Sequence, residues 1–132
     1  MKTPLKDDSY CFVCGERNPN GLHIKFSLRE GKVVGEFVPK KIHQGYMDIV
    51  HGGLISTLLD EAMVKLALMQ GMPAVTAEIL IRFRNPLRTG ERATIEAGIL
   101  QMNRKIIEAE ASVKKEDDTV IAIGHAKLLR QD

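Results

Sequence analysis

With 132 residues, 44% of them hydrophobic and 27% charged, the chain has material for a single domain with a modest core and not for two. A formal charge of +2, with basic residues scattered among acidic ones, offers no basic block of the kind that holds nucleic acid, so a small-molecule ligand is the first expectation. No apolar run reaches the roughly 18 residues that span a bilayer, and the opening MKTPLKDDSY lacks the apolar stretch of a signal peptide. The expected setting is the cytoplasm, with no membrane partner.

Residues 1–21 read as an entry loop that ends in CFVCGERNPNG, where Asn-Pro favours turn initiation and Asn-Gly accepts positive φ. Cys11 and Cys14 have the spacing of half a tetrahedral zinc site or of a redox dithiol. Each reading lacks its other half: there is no second CxxC, and His23, the nearest histidine, falls in a strand-like run. The expectation is that the two thiols shape a turn and hold no metal.

His23 to Leu28 places Ile24, Phe26 and Leu28 on one side, and Arg29-Glu30-Gly31 turns the chain into the β-branched run Lys32 to Val38, predicting a hairpin. Residues 39–49 have no period and contain Pro39 and Gly45, so they read as a loop. From Leu54 to Gln70 apolar residues fall at 54, 55, 58, 59, 62, 63, 66 and 69, the spacing of a helix that is apolar nearly all round. Gly71 and Pro73 end it. Val75, Ala77, Ile79, Ile81 and Phe83 then alternate with polar residues, and three more strand-like runs follow at 93–100, 106–114 and 119–129. Two strands, one long helix and four strands predict an α+β fold: an antiparallel sheet wrapped around a central helix. One helix covers only one face of such a sheet and the edges need partners, so a homodimer or homotetramer is expected.

The chemistry centres on VHGGLISTLLDEAM, Val50 to Met63. Gly52 and Gly53 leave the first helical amides unshielded, and those amides have no intrahelical acceptor. They form a plausible oxyanion hole at the positive end of a helix dipole, although glycines there can also serve only to let the chain enter a crowded helix. Asp60 and Glu61 point about 100° apart. Glu61 has Lys65 four residues on, a favourable ion-pair order. Asp60 has no such partner and sits on a largely apolar helix, which makes it the candidate base or nucleophile. His51 precedes the helix and is read as positioning, since no orienting carboxylate is evident. His23, His43 and His125 are dispersed and do not suggest a metal cluster.

The segment HGGLISTLLDEAM, with a histidine, two glycines and an aspartate nine residues after the histidine, resembles hotdog-fold acyl-CoA thioesterases of the phenylacetyl-CoA thioesterase type. The preceding CFVCGERNPNGLHIKF looks like the N-terminal segment of a subgroup of that superfamily, and the resemblance covers almost the whole chain. It implies hydrolysis of an acyl-CoA at a site shared between two subunits, with coenzyme A present as part of the substrate and no other cofactor. Gly52 would donate its N–H to the thioester carbonyl, Asp60 of the other subunit would be base or nucleophile, and Thr76 would help hold the water. On a regular strand, however, Thr76 shares a face with Glu78 and Arg82. The family often carries Asn or Gln seven residues before the Gly52 position; this chain has Gly45 there, with Gln44 beside it. Arg82, Arg84, Arg88, Arg104 and Lys105 could meet the coenzyme A phosphates or be solvated. The acyl tunnel depends on how Met47, Leu54, Leu58 and Phe83 pack. The alternative function is a hotdog module that binds acyl-CoA or an acyl carrier without turnover.

Overall fold

The computed structural model describes residue 2 and residues 4–132; Met1 and Thr3, inside the predicted entry loop, lie outside the described residues. Its elements are β1 (Phe26–Arg29), β2 (Lys32–Phe37), a 3-10 turn (Lys41–His43), α1 (Gly52–Met69), β3 (Ala74–Phe83), β4 (Ala93–Met102), β5 (Ile106–Lys115) and β6 (Val120–Arg130). The six strands make one antiparallel sheet in the order β1-β2-β4-β5-β6-β3, curled around α1. This is the α+β hotdog arrangement.

Local chemistry sets the elements. Glu30 and Gly31 both have positive φ, 51° and 80°, the geometry of the two-residue turn whose twist matches a β-hairpin, and Arg29 pairs with Lys32 across it. Strand β1 begins three residues later than the apolar alternation predicts. Leu22 and Ile24 donate their N–H groups to Phe12 and Val13 of the entry loop, at 2.8 and 2.9 Å, and His23 between them has φ 54°, so this stretch belongs to the loop and not to the hairpin.

Helix α1 buries Ile55, Leu58, Leu59, Ala62, Met63, Leu66 and Ala67 against the inward side chains of the sheet, among them Val33, Ile95, Ile107, Val113 and Leu128. Burying five or so large aliphatic side chains, at roughly 1.5–3 kcal/mol each, fixes the helix in the curl of the sheet. The helix closes with Met72 N–H on the Ala67 carbonyl (2.9 Å) and Gly71 N–H on that of Leu68 (3.0 Å), a left-handed cap for which Gly71 supplies φ 80°.

The two sheet edges differ. Strand β1 is four residues long. Strand β3 is ten, and it exposes Val75, Ile79, Leu80 and Phe83.

Candidate active site

His51 is the N-cap of α1. Its carbonyl accepts the N–H groups of Leu54 (2.9 Å) and Ile55 (3.2 Å), and its Nδ1 accepts the N–H of Gly53 at 2.9 Å. The segment is held from behind, because Val50 N–H bonds the Leu87 carbonyl and His51 N–H the His43 carbonyl, both at 2.9 Å. Of the first-turn amides, that leaves Gly52 N–H without an acceptor among the described residues. The sequence offers both glycines as carbonyl donors; the structure engages Gly53 with the imidazole and leaves Gly52 available. His51 thus caps the helix through its ring.

Gly52 lies on the wall of a cavity of about 470 Å³ together with Tyr46, His51, Ile55, Phe83 and Arg84. A methyl group added at Gly52 would lie 3.6 Å from the Phe83 ring. Gly45 is on the same cavity, and a Cβ there would lie 3.3 Å from His51 Cα. The Gln44 side chain instead accepts the Asp48 N–H at 3.1 Å, so it braces the loop. Of the four residues tied to the acyl tunnel, only Phe83 lines this cavity. Leu58 is fully buried, Met47 is 76% exposed, and Leu54 faces a different hollow beside Phe12 and His43. Tyr46, 85% exposed, escaped the sequence reading because its loop has no period; an exposed aromatic was its only signal.

Asp60 is on the same helix, eight residues on, which is about 12 Å at 1.5 Å per residue. No cation pairs with it among the described residues; its Oδ1 accepts a hydrogen bond from Thr76 Oγ1 of β3 at 2.5 Å. A β-bulge makes this contact. Thr76 pairs with Leu128 and Glu78 with Lys127, leaving Ala77 as an extra residue, so the alternation resets. Thr76 then shares the inward side with Ile79 and Ile81, opposite the inward Leu128, Ala126 and Gly124, and not the side of Glu78 and Arg82. The conflict posed by a regular strand is removed.

The expected Glu61–Lys65 ion pair does not form among the described residues. Glu61 Oε2 accepts from Cys11 Sγ at 3.5 Å, and Lys65 Nζ donates to Cys14 Sγ at 3.5 Å. Burial, followed by the neighbouring Glu61 carboxylate and the Cys11 thiol, pushes the Cys14 thiol up to about 12, with Lys65 pulling the other way. The histidines do not converge: His23 Nε2 is 2.6 Å from the Asn18 carbonyl, and His125 pairs with Glu110 at 3.0 Å.

The proposed phosphate contacts separate. Arg84 is on the cavity wall, and Arg88 borders the same region through its bridge to Ile49. Arg82 sits opposite Ile123 on the outward side of β3. Arg104 and Lys105 lie in the β4–β5 turn, where the Lys105 carbonyl accepts Arg130 N–H at 2.8 Å. Arg130 pairs with Ala74 at the far end of β3, about 30 Å from Phe83 at roughly 3.4 Å per residue. Within one chain these cations cannot serve one ligand.

A family model described as the thioesterase superfamily matches residues 47–122, a span that includes Gly52, Asp60 and Thr76. The chain belongs to the thioesterase superfamily. Human acyl-coenzyme A thioesterase 13 is 30% identical over 82 residues, which cover 61% of this chain and 59% of the human protein; the matched stretch thus spans about three fifths of that relative. Among solved structures, the Escherichia coli PaaI protein of the phenylacetic acid degradation operon superposes with TM-score 0.78 at 23% identity, covering 83% of this chain and 80% of that one. A Streptococcus mutans protein solved with acetyl CoA gives TM-score 0.77 at 19% identity, covering 81% and 87%. At these identities the structures establish the shared hotdog fold. Among the described residues of this superfamily member, no helix is long and apolar enough to cross a membrane.

Proposed function

We propose that the chain is an acyl-CoA thioesterase, taking water and an acyl-CoA thioester to the free acid and coenzyme A, and that it works as a dimer whose sites each use two copies. The observation that carries the reading is the separation within one chain of a free helix N-terminal amide at Gly52 from a held carboxylate at Asp60. A carbonyl and the group that attacks it must meet within about 3 Å, whereas these two are about 12 Å apart along the helix. Strand β3 supplies the remedy. Its outer edge is unpaired among the described residues, it exposes apolar side chains, and its two ends mark the two half-sites: Thr76 with Asp60 at one, Phe83 with Gly52 at the other. Antiparallel pairing of β3 with a second β3 about a two-fold axis near Ile79 and Leu80 brings the Thr76 end of one copy to the Phe83 end of its partner.

In that composite site the Gly52 N–H, backed by the helix dipole, polarises the thioester carbonyl and stabilises the oxyanion that forms on attack. Asp60, oriented by Thr76, takes the proton of the attacking water or attacks the carbonyl itself. Thr76 thus holds the carboxylate rather than the water. Arg84, on the cavity wall, and Arg88, bridged to Ile49 beside it, bind the coenzyme A phosphates in this reading. The name of the human relative and the acetyl CoA in the Streptococcus mutans neighbour support coenzyme A as the carrier. The superfamily membership supports a cofactor-free hydrolysis.

The test is release of free thiol from a panel of acyl-CoA substrates by the parent protein and by Asp60→Asn. Steady turnover by the parent, lowered roughly a hundredfold or more in the variant while substrate still binds, is the expected result. Binding without turnover in the parent overturns it in favour of the non-catalytic acyl-CoA module.

A further inference from the structure

The contact between the entry loop and α1 has no part in this chemistry. Cys11 Sγ, Cys14 Sγ and a Glu61 carboxylate oxygen all lie within 4.8 Å of one another, and none of the three residues is fully exposed. The sequence supplies only half a zinc site; the fold supplies a third ligand from fifty residues away. We propose that Cys11, Cys14 and Glu61 form a structural site for a thiophilic divalent cation, zinc(II) by chemistry, which ties the entry loop to the middle of the central helix.

Geometry and donor chemistry favour a cation. Zinc bonds of about 2.3 Å to sulfur and about 2.0 Å to oxygen, at the tetrahedral angle, set S and O about 3.5 Å apart; Cys11 Sγ and Glu61 Oε2 are 3.5 Å apart. The backbone turns both sulfurs to one side. Gly15 N–H bonds the Cys11 carbonyl, and Arg17 N–H that of Ser9, both at 2.9 Å. The turn is so close that a Cβ at Gly15 would lie 2.4 Å from Cys11 N, so the residue after the second cysteine has to be glycine. Two thiolates and a carboxylate leave the zinc complex with a charge of minus one. Lys65, whose ammonium already reaches Cys14 Sγ at 3.5 Å, offsets that charge and supplies the kind of outer-sphere hydrogen bond that steadies a thiolate ligand.

The fourth position opens on a cavity of about 450 Å³ between α1 and the start of the entry loop, walled by Leu5, Asp8, Tyr10, Val64 and Leu68, and takes water. Asp7 and Asp8 are already engaged, accepting the N–H groups of Ser9 (2.8 Å) and Tyr10 (3.1 Å). Binding releases the two thiol protons to solvent, so loading strengthens with pH.

The experiment is metal analysis of untagged protein purified without chelator, followed by cobalt(II) substitution and X-ray absorption at the zinc edge. Stoichiometric zinc, two sulfur scatterers at about 2.3 Å with lighter neighbours nearer 2.0 Å, and cobalt spectra with thiolate charge-transfer bands are expected. Cys11→Ser and Cys14→Ser should each diminish the charge-transfer bands. Glu61→Gln should keep them and weaken the affinity at least ~10-fold. The absorption measurement uses the parent protein, so it decides the matter even where a cysteine variant does not fold. Parent protein that stays metal-free in excess zinc, that binds zinc without sulfur scatterers, or that carries a Cys11–Cys14 disulfide instead overturns the proposal. None of these readouts depends on thioester hydrolysis.

Discussion

Thr76 Oγ1 donates to Asp60 Oδ1 at 2.5 Å because the bulge at Ala77 turns the threonine toward the helix. A hydrogen bond to a charged group contributes about 1.5–3 kcal/mol, here to the orientation of the one carboxylate that the proposed chemistry needs. Thr76→Val keeps the shape and removes the donor. Its kcat should fall about tenfold to a hundredfold with KM nearly constant, and Thr76→Ser should recover most of the loss. Equal kcat for the valine and serine variants would show that the hydroxyl has no role.

The free amide of Gly52 can be removed without disturbing the helix. Proline is favoured at the first helical position, where its missing N–H satisfies nothing within the helix. His51 already has φ −59° and ψ 129°, the conformation a residue before proline prefers. Gly52→Pro should therefore fold like the parent and lose about 10²–10³ in kcat, the scale of one lost oxyanion donor. Gly52→Ala, which keeps the N–H, should lose far less. Circular dichroism with steady-state kinetics checks both halves, and a fully active proline variant would remove Gly52 from the mechanism.

Two inactive variants should rescue each other. In a dimer of one Asp60→Asn chain and one Gly52→Pro chain, one site draws its amide and its carboxylate from the unaltered positions of the two copies. Co-refolding equal amounts should restore about a quarter of the parent activity, since half the dimers are mixed and each has one good site of two. Absence of rescue in verified mixed dimers would mean that both groups act within one chain.

His43 ties pH to the loop beneath the helix. Burial first, and the charge of Lys40 second, lower its pKa from 6.5, and its Nδ1 accepts the Lys40 N–H at 2.8 Å, which needs that nitrogen unprotonated. A lowered folded-state value means that the unfolded chain takes up the proton first. Stability is therefore complete above pH 6.5 and declines as pH falls through the folded-state value. Denaturation midpoints at several pH values should show this slope in the parent and a smaller one in His43→Gln. The His43 carbonyl also holds His51 N–H, so the same acid range should loosen the helix cap.

The helix and the last four strands are legible in sequence because their burial is periodic: Leu58, Leu59, Ala62, Met63 and Leu66 fall on the helical repeat and are all fully buried. Gly52 and Asp60 stand out because each breaks a local rule of an apolar helix. Thr76 was harder to place, since counting faces assumes a regular strand and nothing in VTAEI says where the extra residue goes. Glu61 misled for a related reason. The spacing to Lys65 is a rule about one helix, whereas the partner that prevails, Cys11, arrives from another part of the chain. Residues 39–49 gave no period because their order comes from single contacts, such as Gln44 to Asp48.

The inequality of the sheet edges bears on how assembly stops. An exposed ten-residue strand with apolar side chains is a template for endless lateral addition, the route to fibrils. Here the opposite edge is four residues long, with Lys25 before it, Arg29 at its end and Glu30 after it, a short and charged edge that disfavours strand addition. Growth through β3 uses up the long edge of both chains at once and leaves only short ones outside. Pairing through β3, as in the proposed dimer, would therefore end in a closed pair instead of a filament.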